Sequence, residues 1–427
     1  MDKSELKRKV CAEIDRHKDE IGAIAEKILA SPEMGYREYK TAELVKETLS
    51  SLGIPYTDGL AVTGVMGRLS GRDTKARVAV IGELDAVTCS SHPKSDRISG
   101  AAHACGHNAQ IAAMLGCAMG LSAITGELDG EVDFLAAPAE EYVEIGYRES
   151  LRERGEIDFF GGKQELIRTG VFDGIDMAMM VHAQGATPEN ELYIGGSSLG
   201  FVAKKIDFTG KAAHAAAAPH EGVNALNAAM AAMMCIHAQR ETFRDEDRIR
   251  IHPIITNGGE LVNVVPSRVT METYVRGASL EAISDASEKV DRAIDGASYA
   301  IGAKCEIKNY KGYLPLIQSE ELSEIFAENS QLLDNPPRVI RGVPMTASTD
   351  IGDLGYLIPI IQPMMGGFVG SLHSADFAVA DEILAYVNPA KIMAMTVIDL
   401  LSDGAKGAIA VKESFKPRLT KEEYINC

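Results

Sequence analysis

Apolar positions recur at helical spacing from the start of the chain. In "MDKSELKRKVCAEIDRHKDEIGAIAEKI", Val10, Ile14, Ile21, Ile24 and Ile28 share roughly one face and charges fill the other, which predicts an amphipathic helix. The pattern then shifts to short apolar runs. "ARVAVIGELDA" predicts a buried strand ending at Asp85, "NAQIAAMLGCAMGLSAI" a helix, and "GEVDFLAAPAEE" a strand with acidic residues at its end. "KQELIRTGVF" predicts a helix, and "IDMAMMVHAQ" a third strand ending at His182. Repeated β-α-β order predicts a mostly parallel sheet with helices on both faces. Ligands of such sheets bind beyond the carboxyl ends of the strands, so Asp85, Glu140, Glu141 and His182 are expected to converge.

The pattern changes near residue 199. "GFVAKKIDFTGKAAHAAAAPH" predicts a strand and turn, and "GVNALNAAMAAMMCIHAQRETF" a helix. Strands follow in "RIRIHPIITNGGELVNVVPSRVTMETYVRG", then the helix "LEAISDASEKVDRAIDGASYAIG" and a closing strand "KCEIKNYKG". This order predicts a small α+β sandwich on an antiparallel sheet. Later, "SEELSEIFAENSQLL" and "LIPIIQPMM" predict a return to the first sheet. The expected organisation is a catalytic domain over 1–198 and 309–427, with a second domain inserted at 199–308. The segment 144–162 carries both charge signs and reads as a surface insertion.

Size and composition narrow the class. A chain of 427 residues exceeds one ordinary core, and 46% apolar with 24% charged residues is globular. With no run of 18 apolar residues and no apolar signal core at the N-terminus, neither a membrane span nor a secretory leader is expected. Seven scattered cysteines do not form a disulfide pattern, so a reducing cytoplasm is expected. A net charge of −18 argues against nucleic acid as a partner and favours a solvated, soluble surface.

Candidate chemistry gathers in four short stretches. "GAAHACGHNAQ" places Cys105 between His103 and His107, which suits a buried thiol in a turn, a nucleophile, or half of a metal site. Asn108 reads as the N-cap of the following helix. "PAEE" sets Glu140 beside Glu141, and adjacent side chains diverge, so one can bind a metal while the other serves a water as base. His182 in "VHAQ" is otherwise a core histidine, and His373 in "SLHS" a turn residue. Taken together, Cys105, His107, Glu141, His182 and His373 supply enough S, N and O atoms for one or two metal ions.

"GELDA", "HACGHN", "PAEE", "VHAQ", "GKAAHAAAAPH" and "NVVPSR" occur here in the order found in the aminoacylase and glutamate-carboxypeptidase family of dinuclear metallopeptidases, which the chain resembles from about residue 15 to 400. It is most similar to the amidohydrolase branch, near aminobenzoyl-glutamate hydrolase and related dipeptidases, on "GHN", "GGKQELIRTGVFDGIDMAMMVHA" and "STDIGD". The resemblance implies a catalytic domain carrying an inserted, ferredoxin-like lid and dimerisation domain, and hence a homodimer. It also implies two divalent ions, zinc or manganese, held by Cys105, His107, Glu141, His182 and His373.

By the same resemblance Glu140 is the base and acid, Asp85 orients the site, and His214 reaches a partner subunit's active site and helps hold the oxyanion. Asn263 and Arg276 match positions that bind a substrate carboxylate, His103 has no ligand role, and His220 is left to cap the next helix. The implied substrates are N-acyl amino acids, dipeptides or aminobenzoyl-glutamate-like amides. Two other readings stay open: a hydrolase with Cys105 as nucleophile, and a binding subunit that keeps the fold without turnover. Asn108 and Glu83 both stand where the branch commonly has aspartate.

Overall fold

The computed structural model describes residues 1–426, which divide into two compact units. The first comprises 1–197, 317–344 and 353–426; the second comprises 198–316 and 345–352. The second unit therefore continues past the expected boundary at 308 and recruits a short segment from the late part of the chain.

The first unit is built on a six-stranded sheet. In spatial order its strands are Tyr56–Leu60, Gly64–Ser70, Glu131–Ala137, Arg77–Glu83, Met177–Met179 and Ile360–Ile361. The first two pairings are antiparallel and the remaining three parallel. The parallel strands read as continuous apolar runs because both faces are covered, as Arg77–Glu83 illustrates: every residue after Arg77 is buried. The helix His107–Ser122 is apolar all round and buried from His107 to Leu121, as a helix sheathed by other elements must be. It packs against Lys18–Leu29, Lys3–Arg16 and Asn388–Leu401. The segment Ile383–Leu401 has the length and hydropathy of a membrane span, but 89% of it is buried inside the protein, as expected of a core helix.

Three expectations are corrected here. The N-terminal amphipathic run is two helices, Lys3–Arg16 and Lys18–Leu29, separated at His17. "IDMAMMVHAQ" is two strands: Met177–Met179 joins the central sheet, while His182–Ala183 pairs with Met364–Met365 in a separate four-stranded sheet. The 144–162 segment is a surface insertion only in part: 152–156 is exposed, but its helix Ile145–Glu153 buries Ile145, Arg148 and Leu151, and Ile157 and Phe160 are buried beyond it.

The second unit is an antiparallel sheet with strand Gly200–Thr209 between Arg268–Gly277 and Lys304–Lys311. Arg250–Ile251 and Ile254–Asn257 pair with the outer side of Arg268–Gly277. The helices Ala225–Ala238 and Leu280–Ile301 pack on this sheet and on each other, and with Arg250–Ile251 and Ile254–Asn257 counted as one interrupted strand the order is the ferredoxin-like βαββαβ. Arg268–Gly277 alternates exposure strictly, which places Val269, Met271 and Val275 in a core with Ile206, Phe208 and Ile294. The helix Ala225–Ala238 is capped by Asn224, whose side chain accepts from Leu226 N and Asn227 N. His220 lies in the preceding 3-10 turn and is not that cap.

Candidate metal centre

Four sequence-distant segments of the first unit meet beyond the carboxyl ends of the parallel strands. The loop before His107–Ser122 brings Cys105 and His107 on either side of Gly106, whose φ of 85° is open mainly to glycine. A Cβ at Gly106 would lie 2.6 Å from Ala183 Cβ, so this turn also seats the loop against the His182 strand. The helix begins at His107 with Gly106 as N-cap; Asn108 is buried and its Nδ2 donates to Ala25 O at 3.4 Å, so it is not the cap.

The "PAEE" loop turns at Ala139, which holds a left-handed φ of 52°. Such a conformation costs a non-glycine residue free energy and persists only where its surroundings fix it. Here Ala139 N donates to Glu38 Oε1 at 2.8 Å, and Ala139 O accepts from Gly162 N at 3.1 Å and from Arg148 Nη1 at 3.5 Å. The buried Arg148 guanidinium also donates to the carbonyls of Phe160 and Glu141. His373, with φ 61°, is tied to the cysteine loop by its N–H to Ala104 O at 2.8 Å.

Cys105 Sγ is the hub. His373 Nε2 lies 3.3 Å from it and His182 Nε2 3.5 Å. Two groups of ligand atoms, each within 4.8 Å, share this sulfur: Cys105, His107 and His182 form one, and Cys105, Glu141 and His373 the other. His373 Nε2 is 3.0 Å from Glu141 Oε1. A third group joins Glu83, His107 and Glu140. The five sequence-derived ligands and Glu140 therefore do come together, and all are buried except His373.

The histidines are oriented by their outer nitrogens. His107 Nδ1 lies 2.9 Å from Asp85 O and 3.4 Å from Asp85 Oδ1. Donation to that carbonyl leaves Nε2 as the atom available to a metal. His182 Nδ1 lies 2.8 Å from Ala183 O, which likewise leaves its Nε2 toward the sulfur. Asp85 is fully buried, and its Oδ2 accepts from Glu141 N at 2.9 Å, so one carboxylate aligns two ligand segments.

Proton placement fits a cation site. Burial opposes ionisation of Cys105, yet His182 and His107 hold its thiol well below the ordinary value. Hydrogen bonds to Cys105 and Glu141 raise His373 to about 11. Burial opposes the charge on His107, but Glu83 and Cys105 raise its pKa well above normal. The set thus matches thiolate and carboxylate with protons on imidazoles, and a divalent cation takes the place of such protons when it binds. His107 Nε2 is buried without a hydrogen bond, although Glu83 Oε2 lies 3.1 Å away. His103 is a different case. It is buried, neither ring nitrogen has a hydrogen bond, and burial followed by the His107 charge lowers it to about 3, so it stands neutral behind the ligands.

Sequence reasoning missed three buried charges around the centre. Glu38 fixes Ala139, Arg148 fixes the "PAEE" backbone, and Lys163 Nζ pairs with Glu83 Oε1 at 2.5 Å with both side chains fully buried. One signal for Lys163 was available: it stands in the first turn of Gly162–Thr169, where the helix dipole disfavours a cation.

His214, Asn263 and Arg276 lie in the second unit. His214 Nδ1 accepts from Ala216 N at 3.2 Å and Ala217 N at 3.0 Å, which places the ring proton on Nε2 as a donor. Asn263 O accepts from Ala215 N at 2.9 Å beside it. The Arg276 guanidinium lies 5.3 Å from the Phe201 ring and 5.4 Å from that of Tyr274, and its Nη1 donates to Ser348 Oγ at 2.7 Å.

Comparison with known proteins agrees with this architecture. Residues 197–300 match the peptidase dimerisation domain. The chain is 28% identical to Xaa-Arg dipeptidase of Mus musculus, over 99% of this chain and 94% of that one. It is also 28% identical to N-acyl-L-amino acid amidohydrolase of Geobacillus stearothermophilus, over 75% and 83%. The fold matches a dinuclear metal-binding peptidase of Bacillus subtilis with a TM-score of 0.68 at 20% identity, covering 91% and 99% of the two chains. The chain is thus similar in sequence to metal-dependent dipeptidases and amidohydrolases, and in fold to a peptidase of the M-twenty family.

Proposed function

We propose that the protein hydrolyses an amide or peptide bond of a small carboxylate-bearing substrate, such as an N-acyl amino acid, a dipeptide or an aminobenzoyl-glutamate-like amide. Two divalent ions, zinc or manganese, would be held by Cys105, His107, Glu141, His182 and His373. The observation that carries this reading is the single buried sulfur shared by two ligand groups. The ions, when bound, acidify a water and polarise the scissile carbonyl.

Glu140, grouped with His107 beside the ligands, takes the proton of the attacking water and delivers it to the leaving nitrogen. Asp85 holds His107 and the Glu141 backbone in register. His214, with its proton on Nε2, is suited to donate to the oxyanion. Arg276 offers a forked donor to a carboxylate, pre-oriented by Ser348 and two rings, and Asn263 assists it. We further propose a homodimer formed through the dimerisation domain and a reducing, cytoplasmic setting, the latter on six free cysteines among the described residues.

Metal analysis combined with a panel of acyl amino acids and dipeptides tests the reading. The expected result is two divalent ions per chain, hydrolysis lost on chelation, and recovery with zinc or manganese. Hydrolysis that survives complete metal removal but not thiol alkylation would replace it with the Cys105 nucleophile. Binding without turnover would make the chain a non-catalytic subunit.

A further inference from the structure

Glu83 ends the strand Arg77–Glu83, and its carboxylate is fully buried. One oxygen, Oε1, receives Lys163 Nζ at 2.5 Å. The other, Oε2, accepts from Gln110 Nε2 at 2.8 Å and faces His107 Nε2 at 3.1 Å. We propose that Glu83 is a further metal ligand, acting with His107 through Oε2 and held in place by Lys163. The proposal rests on the metal reading above and adds a sixth protein ligand to it.

Separation is the first argument. Two atoms bound to one ion at about 2.1 Å each lie roughly 2.9–3.4 Å apart, depending on whether the angle between them is octahedral or tetrahedral. The 3.1 Å between Glu83 Oε2 and His107 Nε2 is such an edge. It also involves the one nitrogen of His107 that donation to Asp85 O leaves for a metal. Lys163 on Oε1 and Gln110 on Oε2 hold the carboxylate with Oε2 facing that nitrogen.

Occupancy is the second. With Oε1 taken by the ammonium, Glu83 can offer an ion only one oxygen. Lys163 also offsets the charge of a carboxylate placed in a centre that already holds Glu140, Glu141 and Cys105. Replacing an open position by a hard oxygen shifts a mixed S/N/O set toward manganese relative to zinc.

The test uses metal-stripped full-length protein, titrated calorimetrically with Mn²⁺ alone and with Zn²⁺ alone. The variants are Glu83→Gln and the double variant Glu83→Gln/Lys163→Met, which removes both charges and keeps the fold accessible if the single variant leaves Lys163 without its anion. Wild type is expected to bind two ions. In either folded variant one of the two sites should weaken at least about tenfold, more for Mn²⁺ than for Zn²⁺. Two ions bound at wild-type affinity by the double variant would overturn the assignment of Glu83 and leave the five-ligand reading intact. A wild-type protein that binds neither ion would remove both.

Discussion

Glu140 and Glu141 are neighbours in sequence but join different groups of side chains. Glu141 is 3.0 Å from His373 and groups with Cys105, whereas Glu140 groups with Glu83 and His107. Replacing the base by an isosteric amide should therefore leave the metal set complete. Glu140→Gln is expected to retain two ions per chain while kcat falls about 10²–10⁴-fold; unchanged kcat in the metal-replete variant would dismiss it as the base. Glu38 gives a prediction about pH. Burial and then the Asp85 charge raise its pKa to about 7 from an ordinary 4.5. The folded protein thus binds more protons than the unfolded chain between those values, so this group's contribution to stability is full below about pH 4.5 and is lost as pH rises through about 7. Denaturant melts of Glu38→Gln should show a flatter stability profile across that window. At this scale the clustering of Cys105, His107, Glu141, His182 and His373 was legible because metal-binding residue types stand out at strand ends. Glu38 and Arg148 were not legible, because a buried charge announces itself only through the partner that the fold supplies, and Lys163 only through its place in the first turn of a helix.

The helix Gly162–Thr169 and the strand Glu131–Ala137 meet at the "PAEE" turn with no room to spare. A Cβ at Gly162 would fall 1.6 Å from Pro138 O. Gly162→Ala must push the helix away from the turn, at a cost of about 1–3 kcal/mol, and should weaken metal binding by displacing Glu141. Thermal unfolding together with metal titration checks both parts; an unshifted melting temperature would show that the turn yields freely. Element type was widely readable from periodicity, since strands buried on both faces and amphipathic helices leave different patterns. Boundaries were less so. "IDMAMMVHAQ" is one apolar run by composition, yet its two halves hydrogen-bond into different sheets. The charges of 144–162 suggested solvent, whereas Arg148 spends its charge on buried carbonyls.

Across the whole molecule the second unit carries exposed apolar side chains that its own core does not use. Met230 and Met234 are one helical turn apart and exposed by 54% and 72%, and Leu261, Val262 and Tyr299 are exposed by 62%, 102% and 90%. A dimerisation domain gives such residues a destination. The protein is expected to sediment at twice its 45.8 kDa chain mass, and Met234→Glu combined with Val262→Asp should return it to one chain. A wild-type monomer in sedimentation would reject the assembly.

The order of the ligands along the chain has a consequence for biosynthesis. Cys105, His107, Glu141 and His182 are translated before the second unit, and His373 follows 191 residues after His182. At about 5–20 residues per second the ribosome needs about 10–40 s to cross that interval. Throughout it the nascent chain holds the Cys105 thiol and an incomplete set of the proposed ligands. A message truncated anywhere within it yields a polypeptide with one proposed ligand group of three and two members of the other, able to scavenge metal without completing the hydrolase.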